Sequence, residues 1–390
     1  MYAFPLKRVG TRARRKPMPK TYDTIIIGAG IAGATLAHTL SKQNQKVLVV
    51  DKNGIASGGS GAAGAFVSPK IGKGSALQSL TNEAFVYAKD FYLRTCPEHF
   101  HQTGVIRTPK DEVDAKKFFE YEKYNENSYE WYSKEKLQTL GIEAGFDSFY
   151  FPEAGDCNAP QVCAYLLRDI EVQIAEVLEM KQKNGQWKLL LPTSYFLTHN
   201  VILATGYEST LADLRYMGIR GTWGTRGDYR SKLDLPVSIH QAMSVGANVN
   251  GIIKLGATHE KGVKAPIPCN TKMVEALKEN ASSLVNTSDL ELQKIFCGMR
   301  AGSKDYFPLV GRVINVPYML ETYPAVVRGA KPALEYVDNL YVLNGLGGRG
   351  FVFAPLMAEI LTKHITEDKE IDKRVNPDRL FLKWCRKFML

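Results

Sequence analysis

The run Tyr22-Asp-Thr-Ile-Ile-Ile-Gly28-Ala-Gly30-Ile-Ala-Gly33 constrains the fold of this chain more than any other segment. Residues 22–27 are short and nearly all apolar, as expected of a central strand in a parallel sheet. The glycines that follow permit a tight turn and let backbone N–H groups approach a pyrophosphate. Residues 31–43 have helical apolar spacing, and the N-terminus of that helix adds partial positive charge at the turn. Residues 46–50 read as a second buried strand. It is closed by Asp51, where a carboxylate can accept hydrogen bonds from ribose hydroxyls. Strand, glycine turn, helix, strand and acid together specify a dinucleotide-binding unit. Gly28, Gly30, Ile31, Ala32, Gly33, Asp51 and Lys52 are its candidate contacts. The unit alone does not choose between NAD and FAD.

The chain has 390 residues, too many for one hydrophobic core of ordinary size, so two lobes or a large α/β unit are expected. A hydrophobic fraction of 45% and a charged fraction of 23% exclude a mostly disordered, collagen-like or coiled-coil protein. Residues 54–74 are too rich in Gly, Ala and Ser to form a stable element alone. The spacing predicts a helix over 75–94 and helices of a separate lobe over 110–140. Residues 172–180 read as one strand, Asn184-Gly185 as a hairpin turn and 187–191 as its partner. Residues 200–204 form another apolar strand. Residues 221–258 and 295–301 read as a second sheet, with a helix over 270–294 between them. Near the end come a strand over 339–344, a glycine loop and a helix over 354–364.

Lys plus Arg is 50 against 40 for Asp plus Glu, a net charge of +10. The excess sits at the ends. Residues 1–20 hold seven basic residues and 379–390 hold four, neither with an acid, so residues 21–378 carry 39 basic against 40 acidic side chains. Two basic ends on a neutral body suit contact with phosphates. The six cysteines, Cys96, Cys157, Cys163, Cys269, Cys297 and Cys385, show no C-x-x-C or zinc spacing and read as reduced thiols of a cytoplasmic protein. The basic start followed by apolar residues 24–40 has glycines and His38 where a signal peptide needs an unbroken apolar core. No stretch reaches the ~20 apolar residues of a membrane span.

Two later features select FAD. Asn200-Val-Ile-Leu-Ala-Thr-Gly206 resembles a second flavin motif, a strand ending in Ala-Thr-Gly near the ribose. The late strand with Gly345-Leu-Gly-Gly-Arg-Gly350 and its helix resembles the return of an FAD-binding chain to its own sheet. Ser57-Gly-Gly-Ser-Gly-Ala-Ala-Gly64 is similar to the small-residue stretch that wraps the FAD diphosphate in the FAD-dependent amine oxidoreductases, the family of glycine, sarcosine and D-amino-acid oxidases. The resemblance is nearest to the flavin domain of the bifunctional enzymes that build 5-methylaminomethyl-2-thiouridine in tRNA. It rests on 57–64 with Phe66 and Pro69, on Gly256-Ala-Thr-His-Glu-Lys-Gly262, and on Gly298-Met-Arg-Ala-Gly-Ser-Lys-Asp305 with Pro308 and Val310-Gly311. Gly345–Gly350 with Ala354-Pro-Leu356, and Asn376-Pro-Asp-Arg-Leu380, complete it. The methyltransferase domain of those enzymes has no room here, so only the oxidase step is expected.

The resemblance implies an α/β fold. A Rossmann-like FAD-binding domain of the glutathione-reductase type would be formed by 22–95, 146–215 and 300–365. A second, α+β substrate domain with a mixed or antiparallel sheet would be formed by 96–145 and 216–299. A basic arm over 1–21 and a basic tail over 366–390 flank them. The further FAD contacts implied are Gly58, Ser60, Ala63, Gly64, Ala65, Val177, Ala204, Thr205, Gly206, Gly345, Leu346, Gly347, Gly348, Gly350 and Phe351.

The activity implied is oxidation of a carboxymethylaminomethyl group on the wobble uridine of a tRNA anticodon loop. The flavin takes a hydride from the carbon beside the amine, the imine hydrolyses to glyoxylate and an aminomethyl uridine, and molecular oxygen reoxidises the flavin. A separate methyltransferase would act next, and no membrane is involved. A carboxylate substrate calls for a guanidinium fork. Arg300 is the first choice by its motif and Arg349 the second. Lys254 matches a sarcosine-oxidase lysine that promotes oxygen reaction at the flavin, or is an edge-strand lysine facing water. Trp223 and Tyr229, beside Arg226 and Arg230, are candidates to stack on an unpaired base, though such aromatics also serve as core. Two other functions fit the residues: oxidation of a free amine such as glycine or sarcosine, and flavin-bearing RNA binding without turnover.

Overall fold

The computed structural model describes residues 20–208 and 210–387. The basic arm expected over 1–21 therefore lies outside the described residues except for its last two. Lys20 pairs with Glu171 at 2.8 Å on the surface.

Two eight-stranded sheets dominate the chain. The centre of the first is parallel. Thr21–Ile27 lies between Val47–Asp51 and Tyr195–Leu203, and Glu171–Ile174 extends the Val47–Asp51 side. Tyr336–Asn344 also runs parallel to Tyr195–Leu203, and Leu309–Ile314 pairs antiparallel with it. The near-continuous apolar runs follow from burial on both faces. Ile26, Val49, Ile202 and Leu343 point into a cluster with helices Ile31–Lys42, Ala76–Thr95 and Gly350–Glu367. Their neighbours Ile25, Leu48, Val201 and Val342 point the other way, against Trp187, Tyr216 and Phe381.

The second sheet runs in the order Glu291–Gly302, Arg220–Arg230, Ile252–Gly256, Ser244–Val245, Ser238–His240, Val105–Arg107, Ser148–Phe151 and Glu130–Tyr132. It is antiparallel except where Ser238–His240 runs parallel to Val105–Arg107. A mixed sheet built from 105–151 and 220–302 agrees with the α+β reading. Ser148–Phe151 belongs to this sheet, although the sequence grouped 146–215 with the cofactor segments.

Three elements differ from expectation. The strand read over 172–180 is two strands, Glu171–Ile174 and Glu179–Lys183. They lie on opposite edges of the first sheet, so the chain must leave one edge to enter the other. The helix read over 270–294 ends at Ala281, and Glu291 already opens a strand. The 366–390 segment is not a solvated basic tail throughout. Helix Asp378–Cys385 buries Leu380, Phe381 and Cys385 in the core, and Arg379 forks onto Asp305 with two 2.9 Å contacts. Alternating cations with apolar residues at helical spacing made one face basic and left the other to dock.

Candidate active site

A cavity of about 1100 Å³ runs between the two sheets. It exceeds the roughly 300–1,000 Å³ of ordinary ligand pockets. One end is the glycine turn. Gly28 has φ +115°, and a Cβ there would come within 2.3 Å of the Ala204 carbonyl oxygen. A Cβ on Gly33 would lie 1.9 Å from the Gly28 oxygen, so this glycine serves helix-to-strand packing and does not line the cavity. Helix Ile31–Lys42 begins at Gly30 with no side-chain cap, and Ser60 Oγ accepts the Ile31 amide at 2.9 Å. Asp51 closes the turn, accepting the amides of Ala29, Asn53 and Gly54 at 2.8–3.0 Å. It still borders the cavity, beside Glu176, Val177 and the Lys52–Glu208 ion pair.

The small-residue segment 57–64 has a packing reason. A Cβ on Gly59 would lie 2.4 Å from the Met299 carbonyl oxygen, and one on Gly298 would lie 3.0 Å from Gly59 Cα. Two backbones approach where side chains cannot fit. Arg226 fastens the segment from the far side. Its guanidinium donates to the carbonyls of Gly61 and Ala63, forms a fork with Asp228 and lies 4.1 Å over the Phe296 ring. Arg226 is 3% exposed and Tyr229 is 2% exposed, with the Tyr229 hydroxyl donating to Val274. Arg226 and Tyr229 thus belong to the scaffold. Trp223, though mostly buried, does border the cavity.

The other end is cationic. Arg300 and Arg349 both line it, donating to the carbonyls of Thr258 at 3.1 Å and Ser68 at 3.2 Å. Burial lowers both guanidinium pKa values, that of Arg349 to about 10. Four further residues lie here that the sequence did not single out: Lys70, Arg107, His240 and His259. Burial first, and then Arg349, push the Arg107 pKa down to about 9. Burial together with Arg107, Arg349 and His259 holds His240 well below the ordinary imidazole value, so it is neutral near pH 7. Its Nδ1 lies 2.6 Å from Ser244 Oγ. The signal that could have found Arg107 is a cation in the apolar strand Val105-Ile-Arg107.

Every residue named from the sequence as a cofactor contact lines this cavity except Gly33. Lys254 does not line it. Its Nζ donates to Asp156 at 2.6 Å and to the Cys157 carbonyl at 3.1 Å, away from the cavity wall. The all-reduced reading of the cysteines is overturned at one pair. Cys269 and Cys297 form a disulfide, joining the loop after Gly256 to the strand beside Arg300. Sequence spacing carried no sign of it, because the fold brings the two together from 28 positions apart. Among the described residues no cluster of His, Cys, Asp and Glu could hold a metal ion, and no helix is long and apolar enough to cross a membrane.

These features fit FAD. The glycine turn excludes side chains where a diphosphate must approach, acids stand at the ribose end, and Thr205 Oγ1 is buried without a hydrogen-bond partner. The family model for FAD-dependent oxidoreductases (DAO) matches residues 23–364. The chain is 25% identical over 415 residues to the tRNA 5-methylaminomethyl-2-thiouridine biosynthesis bifunctional protein MnmC of Shewanella amazonensis, covering 95% of this chain and 61% of that protein. The MnmC protein of Leptospira borgpetersenii is 27% identical, with 90% and 58% covered. The chain thus spans about three fifths of the length of these relatives. Among solved structures, glycine oxidase from Geobacillus kaustophilus superposes with a TM-score of 0.75 at 19% identity, over 90% of this chain and 95% of that one. L-proline dehydrogenase from P. horikoshii gives 0.73 at 17%, over 93% and 98%. These likenesses show the fold.

Proposed function

This chain belongs to the family of FAD-dependent oxidoreductases, and on that premise we propose that it oxidises the carboxymethylaminomethyl group of the tRNA wobble uridine, releasing the carboxymethyl carbons and leaving an aminomethyl base. FAD supplies the hydride acceptor. Molecular oxygen is the proposed final oxidant, a separate methyltransferase the proposed next enzyme, and the cytoplasm the proposed setting. The substrate class is supported by the likeness to MnmC across almost the whole chain.

The cavity's polarity is the observation that carries the reading. Acids and glycines occupy the end suited to ribose and diphosphate, and buried cations occupy the end suited to an anionic amine substrate. Gly28, Gly30 and Ile31 would meet the diphosphate, with Asp51 at the ribose. Gly345–Phe351, where helix Gly350–Glu367 begins, would face the flavin ring. The protein's part is to hold the amine neutral and its carbon close, and to fix the carboxylate with a guanidinium. Burial and the neighbouring cations keep His240 neutral near pH 7, so it adds no positive charge to the cationic end.

The test is nucleoside mass spectrometry of tRNA from a strain lacking this protein. Accumulated carboxymethylaminomethyl uridine is expected, and an unchanged profile refutes the reading. Hydrogen peroxide release from glycine or sarcosine, with none from tRNA, would instead favour a free-amine oxidase. Tight tRNA binding without flavin reduction would indicate RNA binding alone.

A further inference from the structure

The cavity opens beside a tyrosine that the oxidase chemistry does not use. Tyr306 belongs to the cavity lining and is 73% exposed. Of the other lining aromatics, Trp223, Phe351 and Phe353 are buried, and Phe66 and Tyr207 are half-buried. The loop that carries Tyr306 is nonetheless fixed. Ser303, 3% exposed, donates to the Phe307 carbonyl at 2.6 Å, the Phe307 amide donates to Asp305 at 3.3 Å, and Arg379 forks onto the same Asp305. Tyr306 has φ +68°, a left-handed backbone that few bulky side chains adopt. The loop thus bears strain to present an aromatic ring to water where glycine or asparagine would sit more easily.

The loop stands at the reactive end. It follows strand Glu291–Gly302, which bears Arg300, and Gly302 bridges to Leu346 in the turn that would face the flavin ring. Two exposed cations lie beside it. Arg220 is the strand partner of Gly302, and a Cβ on Gly218 would lie 3.2 Å from Lys304 Cβ. Neither cation has an acid partner among the described residues, because the nearby acids are taken, Asp213 by Arg215 and Asp305 by Arg379. An exposed ring flanked by uncompensated cations suits an unpaired base and its phosphates.

We infer that Tyr306 is a stacking platform for the nucleotide next to the wobble uridine, with Lys304 and Arg220 on the flanking phosphates. This deepens the proposed function and rests on its tRNA substrate. A wobble base that reaches the flavin must leave its stack, and its neighbour then loses a stacking face. A fixed ring at the cavity mouth restores that face while the uridine enters. A free amine needs no such platform, so Tyr306 selects a polynucleotide substrate.

The probe is an anticodon stem-loop RNA with carboxymethylaminomethyl uridine at the wobble position and 2-aminopurine, whose fluorescence is quenched by stacking, as the next base. It is titrated into the FAD-loaded protein. Wild type is expected to hold the bound probe quenched. Tyr306→Ala is expected to let it brighten and to raise Kd and KM about tenfold, with kcat and FAD content little changed. Tyr306→Phe should restore both signals, since the ring and not the hydroxyl stacks. Tyr306→Asn, which tolerates the left-handed backbone, serves should the alanine variant not fold, with the same loss expected. Lys304→Gln combined with Arg220→Gln should lower the slope of log Kd against log salt by about 1.4, the share of two single-strand phosphates. Unchanged quenching and KM in the alanine and asparagine variants would overturn the platform and leave the tRNA reading intact. So would a bound probe that brightens on wild type. Quenching that follows Tyr306 in an RNA that never reduces the flavin would support the platform and fail the oxidation, so the two fail separately.

Discussion

At the scale of the residue, partners decide roles that residue type leaves open. Lys254 and Asp156 make the point. Asp156 is 1% exposed, and burial alone would raise its pKa, but Lys254 and His101 more than offset that and hold it below the ordinary carboxylate value. A depressed carboxylate contributes stability that is complete above its unfolded value, near 4, and is lost as pH falls through the folded value. Lys254→Met should therefore cost about 3–5 kcal/mol at pH 7, by leaving a buried charge unpaired. It should also flatten the loss of stability on acidification below about pH 4. Urea unfolding midpoints from pH 7 to pH 3 measure both, and a variant as stable as the parent would refute the pairing. Arg300→Ala is expected to lower kcat/KM for the substrate by about 2 kcal/mol, roughly thirtyfold, with the flavin spectrum retained. Equal loss of FAD affinity would assign Arg300 to the cofactor.

At the scale of the element, the glycine-rich segment separates two neighbours that look alike in sequence. A Cβ on Gly58 meets nothing within 4 Å, while one on Gly59 meets the Met299 carbonyl oxygen at 2.4 Å. Gly59→Ala should cost about 1–3 kcal/mol and weaken FAD retention, because the segment must shift off strand Glu291–Gly302. Gly58→Ala should leave thermal stability nearly unchanged. Differential scanning fluorimetry of the two variants checks this, and equal shifts would refute the close approach. The second sheet shows the same dependence on context. Arg226 and Tyr229 have the composition of an RNA-binding strand, yet their side chains are consumed by the loop and by helix Thr271–Ala281.

At the scale of the molecule, the C-terminal cations belong to a helix that docks on the core. Truncation after Pro377 removes Leu380, Phe381 and Cys385 from the core and is expected to destabilise the fold by several kcal/mol. A tail concerned only with phosphates would lose tRNA affinity and keep its melting temperature. Deleting residues 1–19 should reduce tRNA affinity and flatten its dependence on salt, since six cations leave, while the flavin spectrum stays intact. An unchanged salt slope in a filter-binding titration excludes the arm as the tRNA contact.

The strand–glycine–helix–strand–acid run, the Ala-Thr-Gly strand and the late glycine loop were legible because local backbone geometry restricts which residues can stand there. Gly28 at φ +115° and Gly33 against the Gly28 oxygen are such positions. Arg107 showed only as a cation in an apolar strand and His259 only as a member of the Gly256–Gly262 motif. Lys70 and His240 were not legible, since nothing local requires a cation or an imidazole at those points. Nor were the Cys269–Cys297 bond, the Lys254–Asp156 pair and the docked helix Asp378–Cys385. By itself, then, the sequence determined the dinucleotide unit and the α/β plan. Only the tertiary structure decided which charges face the cavity and which are spent on the scaffold. The physical reason is distance: a side chain's charge acts through whatever stands within a few ångströms, and here those neighbours come from strands and loops up to hundreds of residues away.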